Sequence, residues 1–292
     1  MMAPVLNTAG DEVAIAAPRP RGRAFSFSPV GMVAGAVILF WIVIAIIGPW
    51  IIPHPVGEII DDDFFGPLGG VGLLGTDYLG RDMLSRTIMG ARYTVGISVV
   101  SVCIASGLGV LLGMTAAVSR GWTDIVLSRL LDAASSIPSK LFGLLVVAAL
   151  GSSIPVLIVT MGIIYTPGAF RFSRALGVNI GAMDFILVVK ARGERVPYLI
   201  RTEILPNITG PVLADLGLRY VFIVLLLSGL SFLGLGLQPP YADWGALVRE
   251  NIGGLSQGAP AVIVPSIAIA TLTISVNLFI DNLPRRIRDR SE

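Results

Sequence analysis

Two carboxylate–guanidinium spacings and one basic segment are where this chain of 292 residues carries side chains able to do chemistry. Asp215 and Arg219 stand four apart, which puts them on one face of a helix. Arg129 and Asp132 stand three apart and invite the same reading. Both spacings fall inside apolar runs. A lone arginine at the centre of a membrane helix costs at least ~2.5–3.5 kcal/mol, and a partner carboxylate lowers that cost. Each pair therefore reads either as a structural ion pair or as part of a gating interface. The third feature is "KARGERVPYLIRTEILPN", Lys190 to Asn207. Its pattern predicts one short helix ending at Gly193, a turn, and a second helix starting near Pro197. Glycine suits the left-handed residue after a helix and proline suits the first helical turn. Such a unit lies along a membrane surface more readily than across it. Its basic face suits anionic lipid heads or a groove on another protein.

Several chemistries are excluded. There is one cysteine, Cys103, so no disulfide forms within the chain. It lies in an apolar run and reads as a buried thiol acting as a small hydrophobe. One cysteine and one histidine, His54, cannot build a multi-ligand zinc site. No stretch gathers Glu, His and Asp as a metal enzyme requires, and nothing reads as a nucleic-acid site. The only lysines, Lys140 and Lys190, do not follow glycine. No Walker A loop is therefore present. "GVGLLG", Gly70–Gly75, is glycine-rich but is no phosphate loop. The acidic run Asp61–Asp63 reads as a solvated loop, with attraction of a cationic substrate or a binding protein as the alternative.

The elements that must position these groups are membrane helices. Charged residues make up 14% of the chain, against roughly 25% in soluble domains, and mean hydropathy is +0.83. Six apolar runs approach the ~20 residues a spanning helix requires, over about 30–52, 94–118, 125–150, 154–172, 211–236 and 259–281. The first is too long for a signal-peptide core and reads as an uncleaved span. The third contains Arg129, Asp132, Pro138 and Lys140. It is predicted to kink and to face protein rather than lipid.

Cation placement orients the spans. With the N-terminus inside, inner segments hold 14 of the 21 cations, among them Arg19, Arg21, Arg23, Arg120 and the cluster from Arg171 to Arg201. Outer segments hold only Arg81, Arg86, Arg92 and Arg249. Both termini are thus expected in the cytoplasm. The division that follows is an inner tail (1–29), a first span (30–52), an outer loop (53–93), a five-span core (94–282) and a basic inner tail (283–292). The second half of the outer loop reads as helical, with Asp77 or Asp82 as cap.

The segment ARGERVPYLIRTEILPN resembles the cytoplasmic signature loop of ATP-binding-cassette importer permeases. Gly193 and Leu205–Pro206 keep the family spacing, with Asn207 following. The preceding Glu-Ala-Ala positions are instead Leu187, Val188 and Val189. "LGTDYLGRDMLSR" (Leu74–Arg86), "GAR" (Gly90–Arg92) and "LSFLGLGLQPPYADWGALV" (Leu230–Val248) are similar to segments of the dipeptide/oligopeptide/nickel permeases, second-permease type. An acidic residue frequent there is replaced by Leu227.

The resemblance covers about residues 30–283 and implies an all-α integral membrane fold. It has six transmembrane helices of the type I importer kind and a cytoplasmic coupling helix. It further implies a non-catalytic permease of the bacterial inner membrane that moves short peptides. The implied partners are a second permease, two ATPase subunits carrying ATP and Mg²⁺, an extracytoplasmic binding protein and membrane lipid. The coupling loop would comprise Lys190, Ala191, Arg192, Gly193, Glu194, Arg195, Leu205 and Pro206. The alternative is a stand-alone ion-driven transporter. Against it, no internal repeat and no paired broken helices are evident.

Overall fold

The computed structural model describes residues 28–283. The tail arginines Arg19, Arg21 and Arg23 and the basic residues Arg285, Arg286, Arg288 and Arg290 lie outside the described residues. Ten α-helices form among those described: α1 (Pro29–Ile51), α2 (Met83–Ser119), α3 (Gly121–Ser135), α4 (Ser139–Leu150), α5 (Ile154–Ile180), α6 (Asp184–Ala191), α7 (Val196–Tyr198), α8 (Leu205–Phe232), α9 (Trp244–Glu250) and α10 (Pro260–Asp281). A π-helical stretch, Leu199–Ile204, joins α7 to α8. Five helices are long and apolar enough to cross a membrane, or six with α3 and α4 counted as one broken span.

Local chemistry explains the helix starts. Ser28 caps α1 by accepting from Gly31 N at 3.0 Å, and Pro29 opens the first turn. Asp82 caps α2, accepting from Leu84 N and Ser85 N. Because of that cap, α2 begins at Met83 and not near 94. Its 37 residues extend about 55 Å, well beyond a ~30 Å hydrocarbon layer. The third span breaks where Pro138 stands, and its halves are bent by 79°. Proline has no N–H to give to the helix ladder. α5 runs on to Ile180, beyond the expected end at 172. The fifth span begins far earlier than 211, because helix is continuous from Val196 to Phe232.

The tightest packing joins α2 to α5. Gly109 and Gly113 on α2 let the backbones close, so that Ser173 on α5 donates its hydroxyl to Gly109 O at 3.0 Å. A Cβ at Gly113 would stand 2.2 Å from Ser173 Oγ and 2.7 Å from Phe170 O. Glycines spaced by four bring membrane helices together in this way. A second core gathers α1, α2, α8, α9 and α10 around Trp244, which is fully buried. Trp244 donates from its indole to Thr87 O at 3.0 Å and meets Trp41 edge-on at 4.7 Å. Asp243 caps α9 from a fully buried position and accepts from Ser231, Gly245 and Ala246. Burial pushes its carboxyl above the usual carboxylate range, and those hydrogen bonds pull it back down.

Two expectations are corrected. Cys103 is exposed, not buried. It lies on a stripe of α2 with Val99, Val100 and Leu111, a face no other helix of the chain covers. α3 has no buried residue, whereas α4, the other half of the third span, buries Gly143 and Val147 against α5 and α8, so the expected protein-facing side is met by α4 and not by α3.

Candidate functional site

Functional groups gather at three levels along the bundle. At one end lies the basic segment. α6 is followed by a turn in which Gly193 has φ +81°, a conformation that glycine adopts without steric cost. The segment is held by its inward side chains: Ile186, Leu199 and Ile204 pack with Met114 of α2, Ile180 of α5 and Ile208 of α8. What remains outward is mixed. Phe185, Leu187 and Val188 are exposed apolar side chains, and Ala191, Arg192, Gly193 and Arg195 are exposed beside them, with Lys190 and Glu194 half-buried. Arg192 and Glu194 approach only to 3.9 Å. Leu205 and Pro206 open α8, and Leu205 packs against the apolar cluster beneath.

In the middle level, Arg219 and Asp215 form a two-point contact, Nε to Oδ2 at 2.6 Å and Nη2 to Oδ1 at 2.9 Å. The third guanidinium nitrogen donates to Tyr165 O at 3.3 Å. Gly168 makes the room: a Cβ there would stand 2.5 Å from Arg219 Nη1. Arg129 and Asp132 behave differently. They do not pair, and Arg129 makes no ion pair among the described residues. Asp132 instead faces Arg171 of α5 at 3.5 Å, because α3 lies against α5 and the cross-helix cation is nearer than the one on its own helix. Its neighbour Asp124 takes Arg174 in a two-point contact, with Nη2 to Oδ2 at 2.6 Å.

If Asp215 and Arg219 support each other, Asp215→Ala lowers stability by about 3 kcal/mol, since it leaves the mostly buried Arg219 guanidinium without its carboxylate, with only the Tyr165 carbonyl as partner. Adding Arg219→Leu recovers most of the loss. A thermal-unfolding comparison of the two variants checks this, and a double variant no more stable than the single one refutes it.

At the opposite end, residues 53–82 form a compact loop latched to α9 by charge. Asp77 is fully buried. Its carboxylate accepts from Leu79 N at 2.8 Å, Arg81 N at 2.9 Å and Arg81 Nε at 2.7 Å, and also from Arg86. Arg86 reaches on to Glu250 at 2.8 Å, which Arg81 also meets at 3.3 Å. Tyr78 N donates to Asn251 Oδ1 at 3.0 Å, just beyond α9. Sequence reasoning left Arg81 and Arg86 as outer-loop cations without a partner. The available signal was Asp77, Arg81 and Arg86 at spacings of four and five before a capped helix. Glu250 carried no such signal, because it is distant in the chain. The acidic run Asp61–Asp63 takes no part in the latch; Asp61 turns back on Asp63 N at 3.1 Å.

A bundle with one broken span, a short-helix segment at one end and a buried charge latch at the other has counterparts among known proteins. Residues 109–289 match the family described as "Binding-protein-dependent transport system inner membrane component", and residues 22–67 match "N-terminal TM domain of oligopeptide transport permease C". The "Glutathione transport system permease protein GsiD" of Pectobacterium atrosepticum is 30% identical over 89% of this chain and 87% of its own length. The "Di/tripeptide transport system permease protein DppC" of Pseudomonas aeruginosa is 31% identical over 87% of this chain and 86% of its own. Among solved structures, the MetNI methionine ABC transporter in an inward-facing conformation shares the fold, with TM-score 0.56 at 15% identity, over 72% of this chain and 98% of the matched one. The chain belongs to the family of inner membrane components of binding-protein-dependent transport systems, as a multi-pass permease of the ATP-binding-cassette importer class.

Proposed function

We propose that this permease carries short peptides inward, pairing with a second permease chain to enclose the path. Relatives whose names specify di- and tripeptide or glutathione transport support that substrate class. Two ATPase subunits, which hold the ATP and Mg²⁺, dock on the α6–α7 segment, and a binding protein delivers peptide at the latch end. The α6–α7 end and both termini face the cytoplasm of a bacterium.

The observation that carries this reading is the split character of α6. Ile186 is buried in the bundle, while Phe185, Leu187 and Val188 point away from it. A helix lying on lipid heads would also insert apolar side chains, but a ridge beside Arg192 and Arg195 equally suits a protein groove with an acidic rim, and its place in the chain favours the groove. The ridge stands at the positions where the resembled loop has Glu-Ala-Ala. ATP binding closes the ATPase pair and moves both docked segments. The difference in contact between closed and open pairs then biases the permease. The packing of Leu199, Ile204 and Ile208 in one cluster passes that movement straight into α8.

A cysteine cross-link scan over residues 186–204 against the ATPase subunits tests the docking, in a Cys103→Ser background that removes the only native thiol. Outward positions 187, 188 and 192 are expected to cross-link and buried position 186 is not. Silence across the whole window, with another inner loop cross-linking instead, would refute it. Gly193→Val serves as the functional companion. No atom lies within 4 Å of a Cβ built at Gly193, so its cost is backbone strain of about 1–2 kcal/mol and the chain still reaches the membrane. Peptide-stimulated ATP hydrolysis is expected to fall about tenfold, since the turn must shift to relieve that strain. Unchanged hydrolysis counts against the coupling role.

A further inference from the structure

Exposed charge at the level of the third span's break defines a second site. Arg129, Asp132, Ser139 and Lys140 are all exposed along α3 and the start of α4, with Arg171 exposed on α5 facing them. The α3–α4 pair is long and apolar enough to count as one span, bent by 79° at its centre. Charged side chains at such a depth cannot face lipid tails and must look onto water or protein.

Between the bend, α5 and Arg219 lies a cavity of ≈ 250 Å³, with Ser135, Ser139, Arg171 and Arg219 among its lining. The charge at this level is unbalanced. The cavity lining carries two guanidiniums, Arg171 and Arg219, and no carboxylate, while Asp124 and Arg174 satisfy each other. The two lining guanidiniums are held unequally. Arg219 is clamped by Asp215 and mostly buried. Arg171 meets Asp132 only at 3.5 Å, and both side chains are more than half exposed, at 56% and 58%. Arg171 is therefore able to exchange its carboxylate partner at little cost, because an exposed pair gains little from being made.

We infer that this cavity is a station for the C-terminal carboxylate of a peptide in transit, which takes the place of Asp132 on Arg171 while Arg219 holds the cationic field behind it. The inference rests on the peptide-transport reading. A guanidinium matches a carboxylate in two-point geometry, and the competing Asp132 keeps the hold weak enough for release. A carrier needs that balance: a site along a path must bind well enough to select and loosely enough to let go.

The test uses the whole complex, with second permease, ATPases and binding protein, in proteoliposomes. Initial uptake of trialanine is compared with uptake of trialanine amide, which lacks the carboxylate. The same binding protein serves every variant, so its own preference cancels when acid-to-amide ratios are compared. Arg171→Gln is expected to lower that ratio about tenfold, and Arg171→Lys to retain most of it. Asp132→Asn, which frees Arg171, is expected to raise it. Ser139→Asp, which adds an anion to the cavity wall, is expected to lower it, and it keeps the test decisive if Arg171→Gln does not assemble. Ratios unchanged across the assembled variants overturn the station while leaving peptide import intact. Failure of the unaltered complex to import either peptide overturns the transport reading, and the station with it.

Discussion

Replacing Arg86 with methionine lowers the stability of the permease by about 3–5 kcal/mol, the range seen when one partner of a buried pair is removed. The size follows from what the substitution strands. Asp77 is fully buried and loses one of its two guanidiniums, and Glu250 loses its shorter contact. Arg86 itself is 2% exposed in its side chain, so water cannot enter to replace it. Methionine fills similar volume, so lost packing adds little. Glu250→Gln is the graded companion. Its side chain is 12% exposed and Asp77 still holds both arginines, so the loss is expected near ~1 kcal/mol. Thermal unfolding in lipid nanodiscs checks both, with a fall of about 10 °C expected for Arg86→Met. A fall below about 2 °C would place the latch in the class of weak surface pairs.

The second large effect is steric. Gly113→Leu is expected to abolish recovery of monodisperse protein. The added carbon meets Phe170 O at 2.7 Å and Arg174 N at 2.9 Å, and backbone atoms cannot turn aside as a side-chain end does. α2 and α5 would have to separate along the tightest helix contact in the molecule. Removing the Ser173 hydroxyl does not rescue it, because the carbonyl remains. Gly107→Ala on the same helix is the control. Nothing lies within 4 Å of its Cβ position, and alanine gains about 1 kcal/mol of helix propensity over glycine. Extraction followed by size-exclusion chromatography separates the two outcomes. Normal yield from Gly113→Leu would show that the helices are not packed at this glycine.

What was legible beforehand was local. Long apolar runs announce spans because hydrocarbon demands about twenty apolar residues in a row. The break at Pro138 and the turn at Gly193 were readable because each follows from one residue's backbone chemistry. The Asp215–Arg219 contact lies within a single helix turn, so spacing alone brings its groups together. The misreadings share the opposite cause. Arg129 and Asp132 have a pairing spacing, but Arg171 of another helix stands against Asp132, and no pattern in α3 reports that. Cys103 sits in an apolar run, yet an apolar run in a membrane protein faces outward as often as inward. Asp77 read only as a possible helix cap, and Arg81 and Arg86 only as outer cations, because Glu250, which completes their latch, stands 164 positions beyond Arg86. Element ends were displaced for a related reason. Hydropathy marks where lipid stops, whereas α2 and α8 continue well past that boundary.

The seat of α1 has a consequence for how the protein is made. α1 is the most apolar of the described spans, and little of it is buried against the rest of the chain. It enters the bilayer without help from the rest of the chain. Yet its polar anchors belong to the opposite terminus: Ser28 donates to Asn282 at 2.6 Å, and the Trp41 indole donates to Thr271 at 3.1 Å. These partners are separated by 254 and 230 positions. During synthesis the Trp41 indole N–H of α1 therefore lacks its Thr271 partner until α10 leaves the ribosome and is inserted. The polar contacts between α1 and α10 form only after α10 has been made. A nascent chain halted before Thr271 would hold α1 by its apolar contacts with α2 and Trp244 alone, its polar partners Thr271 and Asn282 still missing.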